Sequence, residues 1–403
     1  MQSWRFTHPC KKLYMQFILK PAAVFSISFF ALYYFSNPEQ KIVPATVVTT
    51  HNPNPKIQAA ILLDVSGSMD GLIEQAKSQL WTLVSTLGKA TCNNGSATPK
   101  IELALYEYGR SNNDAGKGYV KQLSPFTNDL DEVSKILFSL HTNGGDEYCG
   151  QVIYTSLDEL KWDTSSQNYK VIFIAGNEDF LQGSLHYTKA CAKANTKGVI
   201  VNTIYCGDRA DGIREHWNLS GECGNGSFTN INQNAKEPDI PTPFDNTLTL
   251  LNKNLNATYI GYGTAGAVNI IRQEEVDKLN GYSSEVSSKR IAAKAKSNVY
   301  SNSSWDLVDA VKADSTYFAK VDMKTLPDSL KNKSRVQLQQ FVKSKADERN
   351  KIQKEIETVS LNREKFIASE KAKRTTNKNE QTLQTEMEKI IKVQAKRFNV
   401  VIN

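Results

Sequence analysis

The sequence predicts an α/β protein on a doubly wound, mostly parallel sheet, with an amino-terminal membrane segment and a helical carboxyl-terminal extension. Three observations carry this reading. Continuous apolar runs (IQAAILLD from Ile57, VIFIAG from Val171, GVIVNTIYCG from Gly198) alternate with amphipathic segments, as buried parallel strands alternate with covering helices. From Leu13 to Phe35 only Lys20 is charged. Beyond Gln273 the chain becomes polar and mostly helical in pattern.

The 403 residues suggest two or three domains at roughly 100–200 residues each. With 40% apolar and 23% charged residues the chain is not wholly disordered, and 22 Gly, 12 Pro and 6 Cys exclude collagen-like, proline-rich and disulfide-dense classes. The net charge of +7 is uneven: residues 331–400 hold 18 Lys/Arg and 9 Asp/Glu. The signs interleave there as on a solvated helix, so no nucleic-acid partner is expected.

Residues 1–36 read as a cytoplasmic tail followed by a signal-anchor or signal peptide. Arg5, Lys11 and Lys12 precede the apolar run, which keeps the tail inside and exports the bulk to the periplasmic or cell-surface side. An uncleaved single-pass anchor is the expectation, because Leu32, Tyr33, Tyr34 and Phe35 leave no small-residue cleavage site after Ala31; secretion after cleavage is the alternative. Residues 37–55, rich in Pro and Asn, form a linker. The α/β domain is placed at 56–265 and is expected to fold without the basic tail. Its strands are expected at IQAAILLD, IELALYEYG, VIFIAG and GVIVNTIYCG, with SFTNIN ending the sheet. Helices are expected after Asp70, around 130–140, 152–160 and 185–195, and up to about Leu255. Residues 266–403 form the extension. In it Leu338, Val342, Lys345, Arg349, Ile352, Ile356, Val359, Arg363 and Phe366 follow a heptad-like seam with three basic breaks, either partly coiled coil or a long helix folding back.

The informative motif is Asp64-Val65-Ser66-Gly67-Ser68, at the carboxyl end of one predicted strand and the start of a helix. In a doubly wound sheet this is the crevice where ligands bind. One carboxylate and two hydroxyls at alternate positions are hard oxygen donors suited to Mg²⁺, Mn²⁺ or Ca²⁺. A plain strand-to-helix turn with a capping serine is the alternative.

Here the chain resembles the von Willebrand factor A domain, with its metal-ion-dependent adhesion site, over residues 57–263. ILLDVSGSM is similar to the family's first metal motif. Asn143-Gly144-Gly145-Asp146-Glu147 looks like the second metal loop, with Asp146 or Glu147 chemistry replacing a threonine. VIFIAGNEDF looks like the fourth strand, but Gly176 and Asn177 stand where an Asp-Gly is common; Glu178 or Asp179 would substitute. EYCG (147–150), FIAGNE (173–178) and NTIYCG (202–207) also resemble segments of exported bacterial members. The resemblance implies a Rossmann-like fold and a metal set of Asp64, Ser66, Ser68, Asp146, Glu147 and Glu178. It implies a divalent cation, Mg²⁺ first, and a protein partner whose exposed carboxylate completes the cation's shell. Glu147 alternatively only favours the start of a helix.

The expected function is a membrane-anchored, extracytoplasmic protein-binding module with a partly degenerate metal site. The alternative is an envelope scaffold in which that site is vestigial. No enzyme activity is expected, since His141 and His186 have no Ser or Cys arranged beside them. Export favours disulfides. Cys149 with Cys206 or Cys191 is the expected pairing, because these residues are read as lying near the sheet's ligand end.

Overall fold

The computed structural model describes residues 55–92, 98–235, 239–373 and 382–402. The predicted membrane segment lies outside them, and among the described residues no helix is long and apolar enough to cross a membrane.

Strand β1 (Lys56–Asp64) leads through helix α1 (Asp70–Leu87) to β2 (Ala90–Cys92), β3 (Lys100–Tyr108) and β4 (Lys121–Thr127). Helices α2 (Leu130–Ser139) and α3 (Cys149–Glu159) precede β5 (Tyr169–Gly176). Then come α4 (Tyr187–Lys197), β6 (Ile200–Cys206), α5 (Arg209–Arg214), α6 (Trp217–Cys223) and β7 (Phe228–Ile231). The rest is helical: α7 (Asp245–Asn256), α8 (Gly266–Leu279), α9 (Ser284–Lys294), α10 (Leu307–Ala313), the short α11 (Tyr317–Lys320) and α12 (Asp328–Lys331), α13 (Arg335–Lys373) and α14 (Leu383–Gln394). Strand β8 (Val400–Ile402) follows.

Six strands form one sheet in the order β4-β3-β1-β5-β6-β7. All neighbours are parallel except β3 and β4. The predicted doubly wound sheet is therefore present, with an antiparallel edge strand that the sequence reading did not include. The pleat sends alternate residues of β1 to opposite faces. Ile57, Ala59, Ile61 and Leu63 join one core with α1, α2 and the later helices, while Ala60 and Leu62 join another with α3, α4 and α6. The chain leaves β1 first toward β3 and later returns to β5 on its other side. The crevice of such a reversal opens at the carboxyl end of β1, where Asp64 stands.

Residues beyond 265 share the sheet's core. Ile352 and Ile356 of α13 and Leu383, Met387, Ile390 and Ile391 of α14 bury in the same cluster as Ile57 and Leu63. The Gln394 side chain reaches under the sheet, with its Oε1 accepting from the Tyr169 hydroxyl at 3.0 Å and from Asn202 Nδ2 at 3.1 Å. Strand β8 pairs with β2, so the carboxyl-terminal strand closes against the segment after α1.

The seam of α13 faces this body, and two of its basic breaks are anchors. Arg349 is 4% exposed and donates to Asp306 Oδ2 at 2.7 Å, Asp309 Oδ1 at 2.8 Å, Thr258 O at 2.8 Å and Thr258 Oγ1 at 2.9 Å. Its guanidinium also stacks 4.0 Å over the Tyr259 ring. Arg363 donates Nε to Asp245 at 2.8 Å and Nη1 to Glu285 at 2.7 Å. A planar fork suits such two-sided pairing, and a buried charge needs it.

Two outcomes follow. Arg349→Ala leaves Asp306 and Asp309 buried without their cation, and should destabilise the protein by about 3–5 kcal/mol in urea unfolding. A 56–265 fragment exposes the apolar face that α13 and α14 cover. Against the independent folding expected from the sequence, it should lack a cooperative thermal transition; a sharp transition would show those helices to be dispensable.

Candidate metal centre at the carboxyl edge of the sheet

Asp64 is fully buried at the end of β1, flanked by Tyr108 on β3 and by Ala175 and Gly176 on β5. Beside it the Tyr108 hydroxyl donates to Ala175 O at 3.0 Å, tying β3 to β5 across the end of β1. Asp64 Oδ1 accepts the Ser66 backbone N–H at 2.8 Å, which fixes the turn into α1. Oδ2 is buried and, among the described residues, has no hydrogen-bond partner.

Two glycines make room for this carboxylate. A Cβ on Gly109, which has φ +79°, would lie 2.9 Å from Asp64 Oδ1; one on Gly176 would lie 2.9 Å from Oδ2 and 2.5 Å from the Tyr108 hydroxyl oxygen. Both positions are closed to any side chain, and Gly109 also needs the left-handed backbone that glycine tolerates.

The hydroxyls of Ser66 and Ser68 stand 3.4 Å apart, and Ser68 Oγ donates to Asn177 Oδ1 at 3.3 Å. The DVSGS donors therefore converge, with Asn177 occupying the place of the expected third-loop carboxylate. Main chain holds the second loop to its neighbours: Asn143 N donates to Val65 O of the first loop at 2.9 Å, and Ser111 N, in the loop after β3, donates to Gly144 O at 2.7 Å. The Thr142 hydroxyl also bonds the Asp70 carboxylate.

The predicted acidic residues divide. Glu147 is 7% exposed, with its Cγ at the same Gly109 surface as Asp64, so it joins the site. Asp146 is exposed and accepts from the Tyr148 hydroxyl at 3.1 Å. Glu178 is exposed, and its charge is felt at both Asp64 and Glu147. Asp179 turns to His216 Nδ1 at 3.0 Å and to the Leu181 N–H at 3.0 Å. Asn177 was noted in the sequence only as a departure from a common Asp, not as a contact of Ser68; Thr142 and Gly109 were not singled out, though Gly109, directly after a strand in EYG, carried a visible signal.

Burial is the main cause pushing Asp64 up to about 6. The Ser66 hydrogen bonds and the Asn177 main-chain N–H, which lies near the carboxylate without hydrogen-bonding geometry, oppose it, and Glu178 adds to it. Glu147 rises to about 7, again through burial first and then through the charges of Asp64, Glu178 and Asp146. Carboxylates that raise one another's proton affinity, one of them with an orphaned oxygen, suit a divalent cation held by hard oxygen donors. Asp64, Ser66 and Ser68 fit that group, with Glu147 near enough to act directly or through water. Among the described residues no three His, Cys, Asp or Glu side chains converge as a ligating set. The candidate centre instead combines carboxylate and hydroxyl donors.

The cysteines differ from the expected pairing. Cys191 on α4 is bonded to Cys223 at the end of α6, with Cα atoms 5.7 Å apart. Among the described residues Cys92, Cys149 and Cys206 are free. The reason is the sheet itself: Cys149 packs with the α3–α4 core while Cys206 packs with the opposite one. Cys149 Sγ rests 3.8 Å from the Tyr108 hydroxyl, and burial pushes its thiol well up. His186 caps α4, its Nδ1 accepting the Thr188 N–H.

No family model matches the sequence, and no curated protein matches it. Among solved structures the chain is similar to a von Willebrand factor type A protein from Catenulispora acidiphila, at 14% identity over 44% of this chain and 39% of that one, with a TM-score of 0.33. It is also similar to proximal thread matrix protein 1 of the mussel byssus, whose MIDAS motif is zinc-occupied (12% identity; 44% of this chain, 42% of that one; TM-score 0.32). A third is the pilus adhesin SpaC from Lactobacillus rhamnosus GG (13% identity; 46% and 28%; TM-score 0.34). The chain thus spans less than half the length of each of these. Independently of them, the mostly parallel sheet with the DVSGS loop at the end of β1 agrees with the doubly wound fold expected from the sequence.

Two measurements test the site. Asp64 and Glu147 bind protons more tightly folded than at their ordinary values of 3.8 and 4.5. Their contribution to stability is therefore full below about pH 4 and lost as pH rises through 6 and 7. In EDTA the melting temperature should fall over that window, and at pH 7 Asp64→Asn should be more stable than the wild type, by on the order of 3 kcal/mol. Leaving aside Cys10, which lies outside the described residues, thiol labelling of denatured, unreduced protein should modify Cys92, Cys149 and Cys206 and spare Cys191 and Cys223 until reductant is added.

Proposed function

We propose that the protein is a non-enzymatic, membrane-anchored binding module whose bulk lies outside the cytoplasm. It captures a protein partner through a divalent cation, Mg²⁺ first, held by Asp64, Ser66 and Ser68. The observation that carries this is the buried Asp64 carboxylate with an unpartnered oxygen in a glycine-lined cradle at the crevice of the sheet. The cation supplies an electrophilic position that an acidic side chain of the partner fills. Glu147 steadies the cation or its water. Support for the module's class comes from the fold, the motif and the similarity to adhesion-type domains.

The scaffold reading has one observation in its favour. Asn177, bonded to Ser68, takes the place of a third carboxylate, which removes charge from the cation's surroundings. Binding should accordingly be weak, with a dissociation constant on the order of 0.1–1 mM. Calorimetric titration with Mg²⁺, Mn²⁺ and Ca²⁺, paired with capture of envelope proteins in Mg²⁺ and in EDTA, separates the two. We expect divalent-dependent capture that Asp64→Ala abolishes and Glu147→Gln weakens by less. No wild-type binding at millimolar metal would establish the scaffold.

A further inference from the structure

The loop after β5 presents Asn177 to the Ser68 hydroxyl and places the Glu178 charge where Asp64 and Glu147 feel it. One neighbour holds that loop at three successive positions. Trp217 donates Nε1 to Glu178 O at 2.7 Å, His216 Nδ1 lies 3.0 Å from Asp179 Oδ1, and Phe180 N donates to Glu215 O at 2.9 Å. The Phe180 and Trp217 rings, both buried, meet edge to face at 5.0 Å. In the same turn His216 has φ +64°, a left-handed backbone that a non-glycine residue takes only when its surroundings impose it.

The segment that supplies this turn has little hydrophobic holding of its own. Residues 207–227, which join β6 to β7, contain five glycines and two helices of six and seven residues. Helices that short do not persist by backbone hydrogen bonding alone. Trp217 is the one large side chain of the segment that is fully buried, and Ile213 is half exposed. The remaining hold is covalent. Helix α6 begins at Trp217, whose carbonyl accepts from the Thr203 hydroxyl at 2.7 Å, and ends at Cys223, bonded to Cys191 on α4. Helix α4 is packed into the core through Ala190 and Ala194. The disulfide therefore ties a weakly packed segment to a firmly packed one, and the segment in turn fixes the loop.

We propose that Trp217 and the Cys191–Cys223 disulfide position the loop after β5 for the cation centre, so that the centre's affinity depends on the redox state of that bond. This rests on the reading of Asp64, Ser66 and Ser68 as a cation site. A dithiol opens the bond: two electrons and two protons pass to the two sulfurs, which become thiols, and the dithiol closes to its own disulfide. Freed at Cys223, α6 loosens the 215–217 turn and with it the placement of Asn177 and Glu178.

The test compares the full chain oxidised, after dithiothreitol, and as the Cys191→Ser, Cys223→Ser double variant, by amide hydrogen exchange and Mg²⁺ calorimetry. Without the bond the amides of Phe180 and Leu181 should exchange at least about tenfold faster, while those of residues 171–175 in β5 keep their rates. Mg²⁺ affinity should fall about tenfold, the lower end of the loss usual for groups that support metal ligands from outside. Trp217→Phe keeps a ring in the pocket and removes the N–H to Glu178; with the disulfide intact it should weaken Mg²⁺ binding about fivefold. A bond that only stabilises the fold would lower the melting temperature and leave both the two exchange rates and the affinity as they are. Unchanged exchange at Phe180 and Leu181, or unchanged Mg²⁺ affinity once they exchange faster, overturns the proposal. Absence of Mg²⁺ binding by the oxidised wild type is a distinct failure: it removes the cation reading and the affinity claim with it, whereas exchange still decides whether the disulfide holds the loop.

Discussion

A carboxylate buried completely at the end of the central strand constrains everything around it. Burying an ionised group without a counter-charge is strongly unfavourable, so Asp64 is tolerated only as a proton-bound acid or beside a cation. The charge felt most strongly there is that of another carboxylate, Glu178. The neighbourhood supplies a backbone N–H for one oxygen, a glycine against each oxygen, and further carboxylates. Strand order then decides what that means for function. Because β3 and β5 flank β1, both neighbouring strands end beside Asp64, and the loops after them close the pocket from two sides. The site is a consequence of the topology as much as of the DVSGS letters.

The second constraint lies in the extension. A long helix with a low apolar content does not hold to a domain by hydrophobic burial alone. Here Leu338, Val342, Ile352 and Ile356 supply the apolar contacts, and Arg349 and Arg363 supply directional ones. The pairing sets register, because a shift of one helical turn would carry each guanidinium away from its carboxylates. A second buried network does the same for α9: Arg290 bridges Asp131 at 2.7 Å and Asp277 at 2.6 Å, while Lys294 meets Asp277 at 2.9 Å. Burial lowers Lys294 to about 8, with Asp277 opposing and Arg290 adding to that fall. Such networks specify a single packing arrangement when every member is satisfied.

How much of this was legible follows from what each feature depends on. The parallel strands and α1 were read correctly because burial on both faces writes itself into the sequence as continuous apolar runs. Strand β4 was missed because its sequence, KQLSPFT, is polar and contains a proline, as an edge strand permits. The three-residue strands β2 and β8 carry no pattern of their own and exist only because each supplies the other's partner. Asp64, Ser66 and Ser68 were legible because local spacing in one turn brings them together. Asp146 and Asp179 were not separable from Glu147 and Glu178 by sequence, since the direction of a loop side chain depends on its neighbours; only the structure turns Asp146 to Tyr148 and Asp179 to His216. The cysteine pairing failed for a similar reason. Proximity to one end of the sheet says nothing about which face a side chain occupies. In the seam of α13, the basic breaks read as faults in an apolar stripe because their carboxylate partners lie far away in sequence.

Helix α1 carries the DVSGS loop at its amino end. A binding event at either end reaches the other only if this helix has two positions. Its surroundings hold it in one. Gln75 Nε2 donates to the carbonyls of Asn232, Gln233 and Ala235, at 2.8, 2.9 and 3.2 Å, while its Oε1 accepts the Leu383 N–H at 2.9 Å. Trp81 donates Nε1 to Asn280 at 2.8 Å beneath the Arg290 guanidinium, and Thr86 bonds Glu388 at 3.0 Å. Sliding α1 would break these bonds together, in a buried setting where each lost partner is costly. Any rearrangement on binding at the proposed site would therefore fall to the loops after β3 and β5 and to the 140–147 segment, which lie outside the helices and strands.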